Sequence, residues 1–452
     1  MSGPSAPLHS RCVYALPDAR HALDQLPSNL GRSSVVHSLV RSFDLLHSPR
    51  GRRGPSSSVN RAQPLITKLA SRSDLEKFHD ADYVDFLLKD YKEDDPDIQD
   101  QGDWNFDHEN FSLNQVIHLD STMQTNKRRK IEKNRESTVE HFGLEHDCPP
   151  FPRMAEYVLA VAGAVLEVSQ KLRENQADIG IVWDGGRHHA QRSCAAGFCY
   201  VNDAALAILE LRKQPTNSNL PRLQRVMYLD YLDIHHGDGV ELAFWSTSFI
   251  LTVSVHFHDP QGGFYPLSGS VDSSGPPPPS PAASHALNIP IEHPGSLSYI
   301  CHRSLLPLIN VYKPSAIVIQ CGVDGLAEDP LGGRLWGFGL EEMGHCLEIV
   351  VQDSLAVGRK VLLLGGGGYH TANAARAWAY FTSIALGRKL DLTTEIPLNV
   401  ERETDYGPGY TLDVPQFEKV IQEEMKPEND EKLQRVVQKI DHHILILKKR
   451  YG

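Results

Sequence analysis

Short apolar runs alternate with helical patterns between about residues 150 and 385. The runs are rich in Val, Ile and Leu and end in clusters of Gly, Asp or His; they cover 179–186, 225–236, 250–257, 316–324 and 360–368. Apolar residues at helical spacing predict helices at 155–172, 201–213, 298–312, 340–357 and 371–386. Buried strands that alternate with helices indicate a parallel sheet covered on both faces, with its ligand chemistry at the carboxyl ends of the strands.

The remaining segments are more polar. Apolar spacing predicts helices at 34–46 and 74–90. We expect a flexible loop at 48–64, a partly disordered polar surface insertion at 91–146 and a Pro/Ser-rich loop at 269–285. The charged tail, 416–452, is predicted to be helical. Because no internal repeat is found, residues 1–452 are interpreted as one domain lengthened by polar loops.

Composition narrows the class of protein. With 40% apolar and 23% charged residues, the 452-residue chain is near the globular average. Its net charge of −12 argues against phosphate-backbone binding, which needs clustered Lys and Arg. No apolar run reaches the ~18 residues that span a bilayer, and the seven scattered cysteines are typical of reduced, intracellular thiols. We therefore expect an intracellular protein without direct nucleic-acid or membrane partners.

A basic run lies inside the polar insertion. The string at Lys127–Lys130 and its neighbours, KRRKIEK, has the composition of a nuclear localisation signal. It has equally the composition of a solvated stretch in a loop, so the run alone leaves both interpretations open.

The strongest chemical cluster follows the second apolar run. Asp233 and His235 are separated by one residue at a strand end, so their side chains point to the same side. A second acidic group at a strand end, Asp324, could complete the three-ligand set that a catalytic zinc needs. Taken singly, such residues are more often helix caps or buried structural groups. Two His and three Asp within 230–238 favour the metal site.

Two other clusters carry candidate chemistry. His188 and His189 follow a strand as a tandem pair, and imidazoles titrate near neutral pH, although a His-His pair alone is weak support for catalysis. Four glycines, 365–368, precede Tyr369, whose hydroxyl could donate to a developing oxyanion. A phosphate-binding loop is disfavoured there, because the Lys-Ser/Thr of a P-loop and the spaced glycines of a dinucleotide site are absent.

Long strings of the sequence resemble the class I zinc-dependent histone deacetylases. They are DGGRHHAQRSCAAGFCYVNDAALAIL, DIHHGDGVELAF, TVSVHF, QCGVDGLAEDPL and LLGGGGYHTANAARAWAY, and the details GRSSVVHSLV, EIP and YGPGY are similar to histone deacetylase eight and its fungal Hos-type relatives. The resemblance covers about 30–47, 65–90 and 146–415. It implies a single arginase-like α/β domain with a central, mostly parallel eight-stranded sheet, and hydrolysis of Nε-acetyl-lysine to lysine and acetate.

The resemblance also implies a role for each matching residue of the metal centre. The positions of the family's zinc ligands are those of Asp233, His235 and Asp324. His188 and His189 match the tandem histidines beside the zinc-bound water, with His189 as the general base.

Further matches surround that centre. Tyr369 matches the tyrosine that hydrogen-bonds the acetyl oxygen, and Asp238 the carboxylate that orients His189. The substrate-binding positions are those of the rim aspartate, the tunnel base and walls, and one glycine of the glycine run: Asp147, Gly197, Phe198, Tyr265 and Gly367.

Acetate exit and a second cofactor complete what the family implies. Arg32 matches an arginine that lines the internal cavity through which acetate leaves. The family binds potassium; Ser254 and the backbone around Asp233 and His235 match one site, and Phe244, Thr247 and Ile250 the other.

The sequence departs from the family at the zinc strand. Relatives read Asp-x-Asp-x-His-His, whereas one extra residue separates Asp230 from Asp233 here. By strict register Tyr231 takes the place of the outer aspartate, which orients His188 and binds potassium. Either a β-bulge returns Asp230 to the site or His188 has lost its partner, and we expect the bulge.

Two smaller departures bear on substrate preference. Tyr265 stands where many relatives have Phe, and GGRLWG (332–337) lengthens a loop beside the expected pocket mouth.

Three hypotheses follow. The first is a nuclear protein-lysine deacetylase, with a cytoplasmic pool also compatible, that acts on histone tails or a cohesin subunit in chromatin regulation and transcriptional repression, alone or in a corepressor complex. The second is a catalytically weak chromatin scaffold, which rests on the register shift. The third is a deacetylase of polyamines or other small amines on the same fold.

Overall fold

One sheet of eight strands organises the protein, and all its neighbouring strands run parallel in the computed structural model. The structure describes residues 10–48, 59–93, 95, 97–98, 139–261, 263–293, 296–414 and 426–452. The strands are β1 (Cys12–Pro17), β2 (Gln63–Thr67), β3 (Ile179–Val182), β4 (Val226–Asp230), β5 (Ile250–His256), β6 (Ala286–Pro290), β7 (Ala316–Gln320) and β8 (Lys360–Leu364). Their order across the sheet is β2-β1-β3-β8-β7-β4-β5-β6.

Helices cover both faces of this sheet. They are α1 (Arg20–Leu23), α2 (Arg32–Ser42), α3 (Arg72–Leu75), α4 (Ala81–Leu87), α5 (Met154–Arg173), α6 (Asp203–Leu211), α7 (Asp238–Phe244), α8 (Ser296–Ile300), α9 (Leu306–Tyr312), α10 (Leu340–Ala356), α11 (Thr371–Ala385) and α12 (Glu431–Tyr451). A π-helical turn, Cys301–Leu305, joins α8 to α9. No helix among the described residues is long and apolar enough to cross a membrane.

Alternate residues of the central strands enter two separate cores. In β4, Met227 and Leu229 pack with α2, α10 and α11, whereas Val226 and Tyr228 pack with α5 and α6. This follows from the period of two along a strand. A parallel sheet that is buried on both faces in this way leaves the carboxyl ends of its strands as the place where polar loops can meet.

The predicted α/β class, eight-stranded sheet and flanking helices are confirmed, with two corrections. The sheet is wholly rather than mostly parallel. The apolar pattern also missed β1, β2 and β6. Gln63 and Pro64, expected in a flexible loop, belong to β2, and β6 ends at Pro290. Both strands lie at the edges of the sheet, where a proline costs no ladder hydrogen bond.

Several expected segments lie partly outside the described residues. This holds for the loop at 48–64, the insertion at 91–146, the tail at 416–452 and the whole basic run at 127–130. The last part of the insertion is ordered, because Phe142 and Leu144 are buried against the core beneath α4 and α5. The helix predicted at 74–90 is divided into α3 and α4, between which buried His79 bonds the backbone oxygen of Arg192.

Candidate active site

Three metal-ligating side chains meet at the carboxyl ends of β4 and β7. Asp233, His235 and Asp324 each offer one atom, and these atoms all lie within 4.8 Å of one another. Nδ1 of His235 is 2.8 Å from Oδ2 of Asp324 and 3.3 Å from Oδ1 of Asp233. Burial and the Asp233 carboxylate raise the pKa of Asp324. Two buried carboxylates directed at one point repel each other, so the donor set fits a divalent cation of the kind that takes oxygen and imidazole ligands.

Neighbouring groups fix the orientation of Asp233. The side-chain amide of Gln320, at the end of β7, donates to Oδ2 of Asp233 over 2.8 Å. The backbone N–H of Gly367 donates to the same oxygen over 3.1 Å. A Cβ at Gly367 would lie 2.4 Å from Oδ2 of Asp324, so the close approach of this backbone requires glycine. Gly367, predicted among the substrate-binding residues, thus contacts the metal-binding carboxylates.

Each tandem histidine is held by its own carboxylate. Nδ1 of His188 lies 2.7 Å from Oδ2 of Asp230, and Nδ1 of His189 lies 2.8 Å from Oδ1 of Asp238. The two ring centroids are 4.0 Å apart, and Nε2 of His188 is 3.9 Å from Oδ2 of Asp233. The Nδ1 contacts leave the Nε2 atoms to face the site, as in other carboxylate–histidine pairs.

The electrostatic surroundings make the two histidines different. Burial and the neighbouring His188 lower the pKa of His189 to about 3, so this imidazole is neutral near pH 7 and can accept a proton. Burial opposes ionisation of His188 as well, but Asp230 and Asp233 outweigh it and raise the pKa of His188 to about 9. A divalent cation at the three ligands would lower both values by repulsion.

The expected β-bulge at the zinc strand is absent. Asp230 is the last residue of β4 and is in regular register with Ser254 of β5 and Gln320 of β7. The extra residue is accommodated after the strand ends, within 231–234. Tyr231 points into the core on the opposite face, whereas Asp230 shares the face of Tyr228, whose hydroxyl donates to it over 3.0 Å. The bulge interpretation is therefore wrong, although Asp230 does contact His188.

Aromatic rings line the approach to these groups. The Tyr265 ring lies 4.9 Å from that of His189 and 6.2 Å from that of His235, and the Phe198 ring lies 5.5 Å from that of Tyr369. A Cβ at Gly197 would fall 2.4 Å from the His189 ring, so the chain passes directly over this imidazole. Tyr265 and Gly197 thus lie beside His189, and Phe198 lies beside Tyr369; their role in substrate binding stays a prediction.

Asp147 is less accessible than a rim residue should be. Asp147 is only 8% exposed, and its Oδ2 accepts a hydrogen bond from the backbone N–H of Gly197 over 2.6 Å. Burial raises the pKa of Asp147 to about 6, against the opposite effect of the N–H donors of Gly197 and Phe198. The carboxylate therefore holds the backbone of Gly197 in place.

A polar cavity lies behind the glycine run. Arg32 donates to the backbone oxygens of Gly366 and Gly368 over 3.1 and 2.8 Å. The cavity is partly open to solvent, and its lining residues are Leu23, Leu26, Asn29, Arg32, Ser33, Tyr157, Asp184 and Arg187. Nε of Arg187 is buried without a hydrogen-bond partner among the described residues. Two buried guanidinium groups give this cavity a positive character.

The predicted potassium positions divide into two groups. Ser254 is paired with Asp230 across β5 and β4, and Oδ1 of Asp230 is buried without a partner in the described part of the chain. Such an oxygen suits a cation. Phe244, Thr247 and Ile250 lie together between the end of α7 and the start of β5, where the backbone oxygen of Phe244 accepts from the N–H of Thr247 over 3.1 Å.

Residues 332–337, expected beside the pocket mouth, pack partly into the core. Trp336 is buried against Phe338, and its indole N–H donates to the backbone oxygen of Ile291 over 3.2 Å. This part of the loop supports the segment that follows Asp324.

Sequence reasoning missed Gln320, Asp329 and Arg187. Gln320 ends an apolar strand, and Arg187 precedes the tandem histidines, so their positions next to predicted site residues were a usable signal. Asp329, whose Oδ2 accepts the backbone N–H of Tyr369 over 2.7 Å, lies in a loop with no such pattern.

Comparisons with known proteins agree with this geometry. A family model described as "Histone deacetylase domain" matches residues 27–385. A protein of Xenopus tropicalis named "Histone deacetylase 8" is 33% identical over 418 residues, which are 91% of each chain. The "Histone deacetylase 8" of Xenopus laevis is 39% identical over 276 residues, 60% of this chain and 78% of the relative. The "Histone deacetylase 6" of Arabidopsis thaliana is 36% identical over 353 residues, 76% of this chain and 62% of the relative.

Proposed function

The chain belongs to the histone deacetylase family, and from this premise we propose that it removes acetyl groups from protein lysines by zinc-dependent hydrolysis. Membership of the family makes it a protein-lysine deacetylase, a hydrolase of linear amides. The observation that carries the zinc proposal is the convergence of three ligand atoms within 4.8 Å, beside two histidines held by aspartates.

Asp233, His235 and Asp324 would hold the zinc ion. When bound there, zinc supplies a Lewis acid that lowers the pKa of a water molecule and polarises the amide carbonyl. Two carboxylates and one imidazole form a three-ligand set of the kind that leaves a coordination position open. Gln320 and the backbone of Gly367 hold the Asp233 carboxylate in place.

His189 acts as the general base. Its Nδ1–H is directed at Asp238, so Nε2 is the atom that accepts the proton of the attacking water. Its depressed pKa keeps it neutral for this task. Asp230 holds Nδ1 of His188 and favours the charged form of this imidazole, against the repulsion of a bound cation. The tandem pair then provides the proton for the departing lysine amine.

Tyr369 donates its hydroxyl hydrogen bond to the acetyl oxygen as negative charge develops there. Burial raises the pKa of Tyr369 well above its usual value, so the hydroxyl keeps its proton at physiological pH. A preorganised donor of this kind typically contributes about 10²–10³ in rate.

The lysine stem passes between Phe198 and Tyr265, with Gly197 at the base. Asp147 is only 8% exposed and already accepts the N–H of Gly197, and its remaining acceptor capacity is proposed to bind a backbone N–H of the substrate. Acetate leaves through the cavity of Arg32, to whose positive charge Arg187 adds. Potassium occupies a site at Asp230 and Ser254, for which the unpartnered Oδ1 of Asp230 is the support, and a second at Phe244, Thr247 and Ile250.

The natural substrates are acetylated proteins, either histone tails or a subunit of cohesin. The names of the relatives support histones. The cohesin subunit is proposed from the resemblance of the sequence to histone deacetylase eight. The enzyme then acts in the nucleus in chromatin regulation and transcriptional repression, alone or in a corepressor complex. The contact between Asp230 and His188 removes the register argument for a weak scaffold.

An assay on acetylated peptides tests this function. The zinc-loaded protein should release acetate from an acetyl-lysine peptide and should be blocked by a hydroxamate. Asp391→Asn, a change in an exposed turn, is the control that should keep full activity. Acetylspermidine is offered in parallel: turnover of that amine without turnover of the peptide would replace the protein-lysine proposal by the small-amine alternative.

A further inference from the structure

A buried carboxylate outside the reacting groups holds the backbone of Tyr369. Asp329 lies in the loop after β7 and is only 4% exposed. Its Oδ2 accepts the N–H of Tyr369 over 2.7 Å, and its Oδ1 accepts the N–H of Leu331 over 2.9 Å. One side chain therefore joins its own loop to the loop that follows β8.

Tyr369 needs such an attachment because of what precedes it. Four glycines come directly before it, and Gly366 and Gly368 have φ values of +145° and +132°. A glycine run has little conformational preference of its own. On the other side α11 begins only at Thr371, so the N–H of Tyr369 lies outside the helical hydrogen bonding and is directed at Asp329.

We propose that Asp329 is a positioning residue that fixes the backbone of Tyr369 and thereby aims the tyrosine hydroxyl at the acetyl oxygen. This inference rests on the proposed role of Tyr369. The same loop carries Asp324 five residues earlier, and the N–H of Val323 donates to the backbone oxygen of Gly367 over 2.9 Å. The N–H of Cys321 also approaches the backbone oxygen of Gly365 at 3.2 Å. The two loops that contribute a zinc ligand and the tyrosine are thus tied at three points, of which Asp329 is the one next to Tyr369.

An aspartate is required because both of its oxygens face N–H donors. Burial and the charge of Asp324 raise the pKa of Asp329 to about 8, so the group is a carboxylate, which only accepts hydrogen bonds, above that pH. An asparagine amide accepts through one atom and donates through the other at any pH. In Asp329→Asn the amide nitrogen must face the backbone N–H of either Tyr369 or Leu331, so two hydrogen-bond donors are placed opposite each other. The change is nearly isosteric, so it removes the attachment without opening a cavity.

The test compares Asp329→Asn with Asp430→Asn in the zinc-loaded protein. Asp430 is also a buried aspartate that accepts backbone N–H groups, those of Lys432 and Leu433, but it caps α12 away from the site. We expect Asp329→Asn to lower kcat on an acetyl-lysine peptide about 10²-fold, the effect of a small misplacement of a reacting group. KM and zinc content should change less than about threefold, and Asp430→Asn should keep the kcat of the parent enzyme.

A double variant separates positioning from a general structural role. If Asp329 acts through Tyr369, adding Asp329→Asn to Tyr369→Phe should lower kcat by less than about threefold further, because the hydroxyl that it aims is already gone. Faster hydrogen exchange of the Tyr369 amide in Asp329→Asn would be the matching physical readout. Multiplicative losses in the double variant, or loss of zinc in Asp329→Asn, would overturn the inference. Full activity of Tyr369→Phe alone would instead refute the proposed role of Tyr369.

Discussion

Oδ2 of Asp230 lies 2.7 Å from Nδ1 of His188 and thereby joins the end of β4 to the loop after β3. This contact exists although the sequence places one extra residue between Asp230 and Asp233. The strand keeps its register through Asp230, and the extra residue is taken up beyond it. The outer aspartate of the site thus keeps its partner through a longer turn after the strand.

Asp230→Asn should therefore be damaging and Tyr231→Phe harmless. The first change removes the buried charge that sustains the raised pKa of His188, and we expect kcat/KM to fall about 10–100-fold. The second removes a buried hydroxyl that has no partner among the described residues, so stability should be unchanged or higher. Steady-state kinetics and urea unfolding measure both. A neutral Asp230→Asn would show that the contact has no catalytic role.

Removal of the metal should abolish activity. We expect about one zinc per chain by atomic emission, a figure set by the one three-ligand set among the described residues. Dialysis against a chelator should end acetate release, and added zinc should restore it. Because zinc relieves the repulsion between Asp233 and Asp324, it should also raise the unfolding temperature of the wild type but not of Asp324→Ala. Robust turnover by metal-free protein would exclude the zinc proposal.

His189→Ala should lose most of its activity but keep its zinc. The variant lacks the neutral imidazole that accepts the proton, so kcat should fall about 10²–10⁴-fold while the metal content stays at the wild-type level. The matched change His188→Ala should keep part of the rate, because it removes a charged neighbour instead of the base. Equal losses, or a larger loss at His188, would reverse the two assignments.

Substrate affinity should depend on Asp147 near pH 6. Burial raises the pKa of its carboxyl to about 6, so as the pH falls through that value the group is protonated and loses its strength as an acceptor. KM for the peptide should then rise in the wild type but not in Asp147→Asn. The free energy of unfolding should change in the opposite direction. The raised pKa of Asp147 contributes stability that is complete below about pH 4 and is lost as the pH rises through about 6. A pH-independent difference in unfolding free energy between the two proteins would contradict this.

Arg187→Met should weaken inhibition by the product. The variant removes one of two buried guanidinium groups from the cavity behind the glycine run, so the acetate concentration needed for half-inhibition should rise. Arg192→Met, which changes an exposed arginine paired with Asp80, is the control. Unchanged acetate inhibition in Arg187→Met would show that Arg187 has no role in product release.

Local patterns in the sequence predict the centre of this molecule better than its edges. Asp233 and His235 could be paired because strand side chains alternate, and Asp324 because parallel strands end on one side of the sheet. β2 was missed because Pro64 is tolerated only where a strand has a free edge, and edge position is a property of the whole sheet. Asp329 and Gln320 act through contacts between loops distant in sequence, which no local pattern encodes. The prediction of a bulge counts the register of β4 backwards from His235 and His236. In the structure the register is fixed from Val226 onward by the hydrogen bonds between β4 and β5.

The four loops that carry the tandem histidines, the three ligands and Tyr369 follow β3, β4, β7 and β8, which lie side by side in the sheet but are spread along the chain. Tyr369 lies 181 residues after His188 in the sequence (369 minus 188). During translation the tandem histidines, the ligands Asp233 and His235, and the aspartates Asp230 and Asp238 are synthesised well before the last ligand, Asp324. Tyr369 is synthesised after all of them. Since β8 inserts between β3 and β7, the central gap of the sheet stays open until that strand arrives. A nascent or truncated chain that ends before residue 360 should therefore be catalytically silent, so the enzyme gains its activity only when its fold is complete.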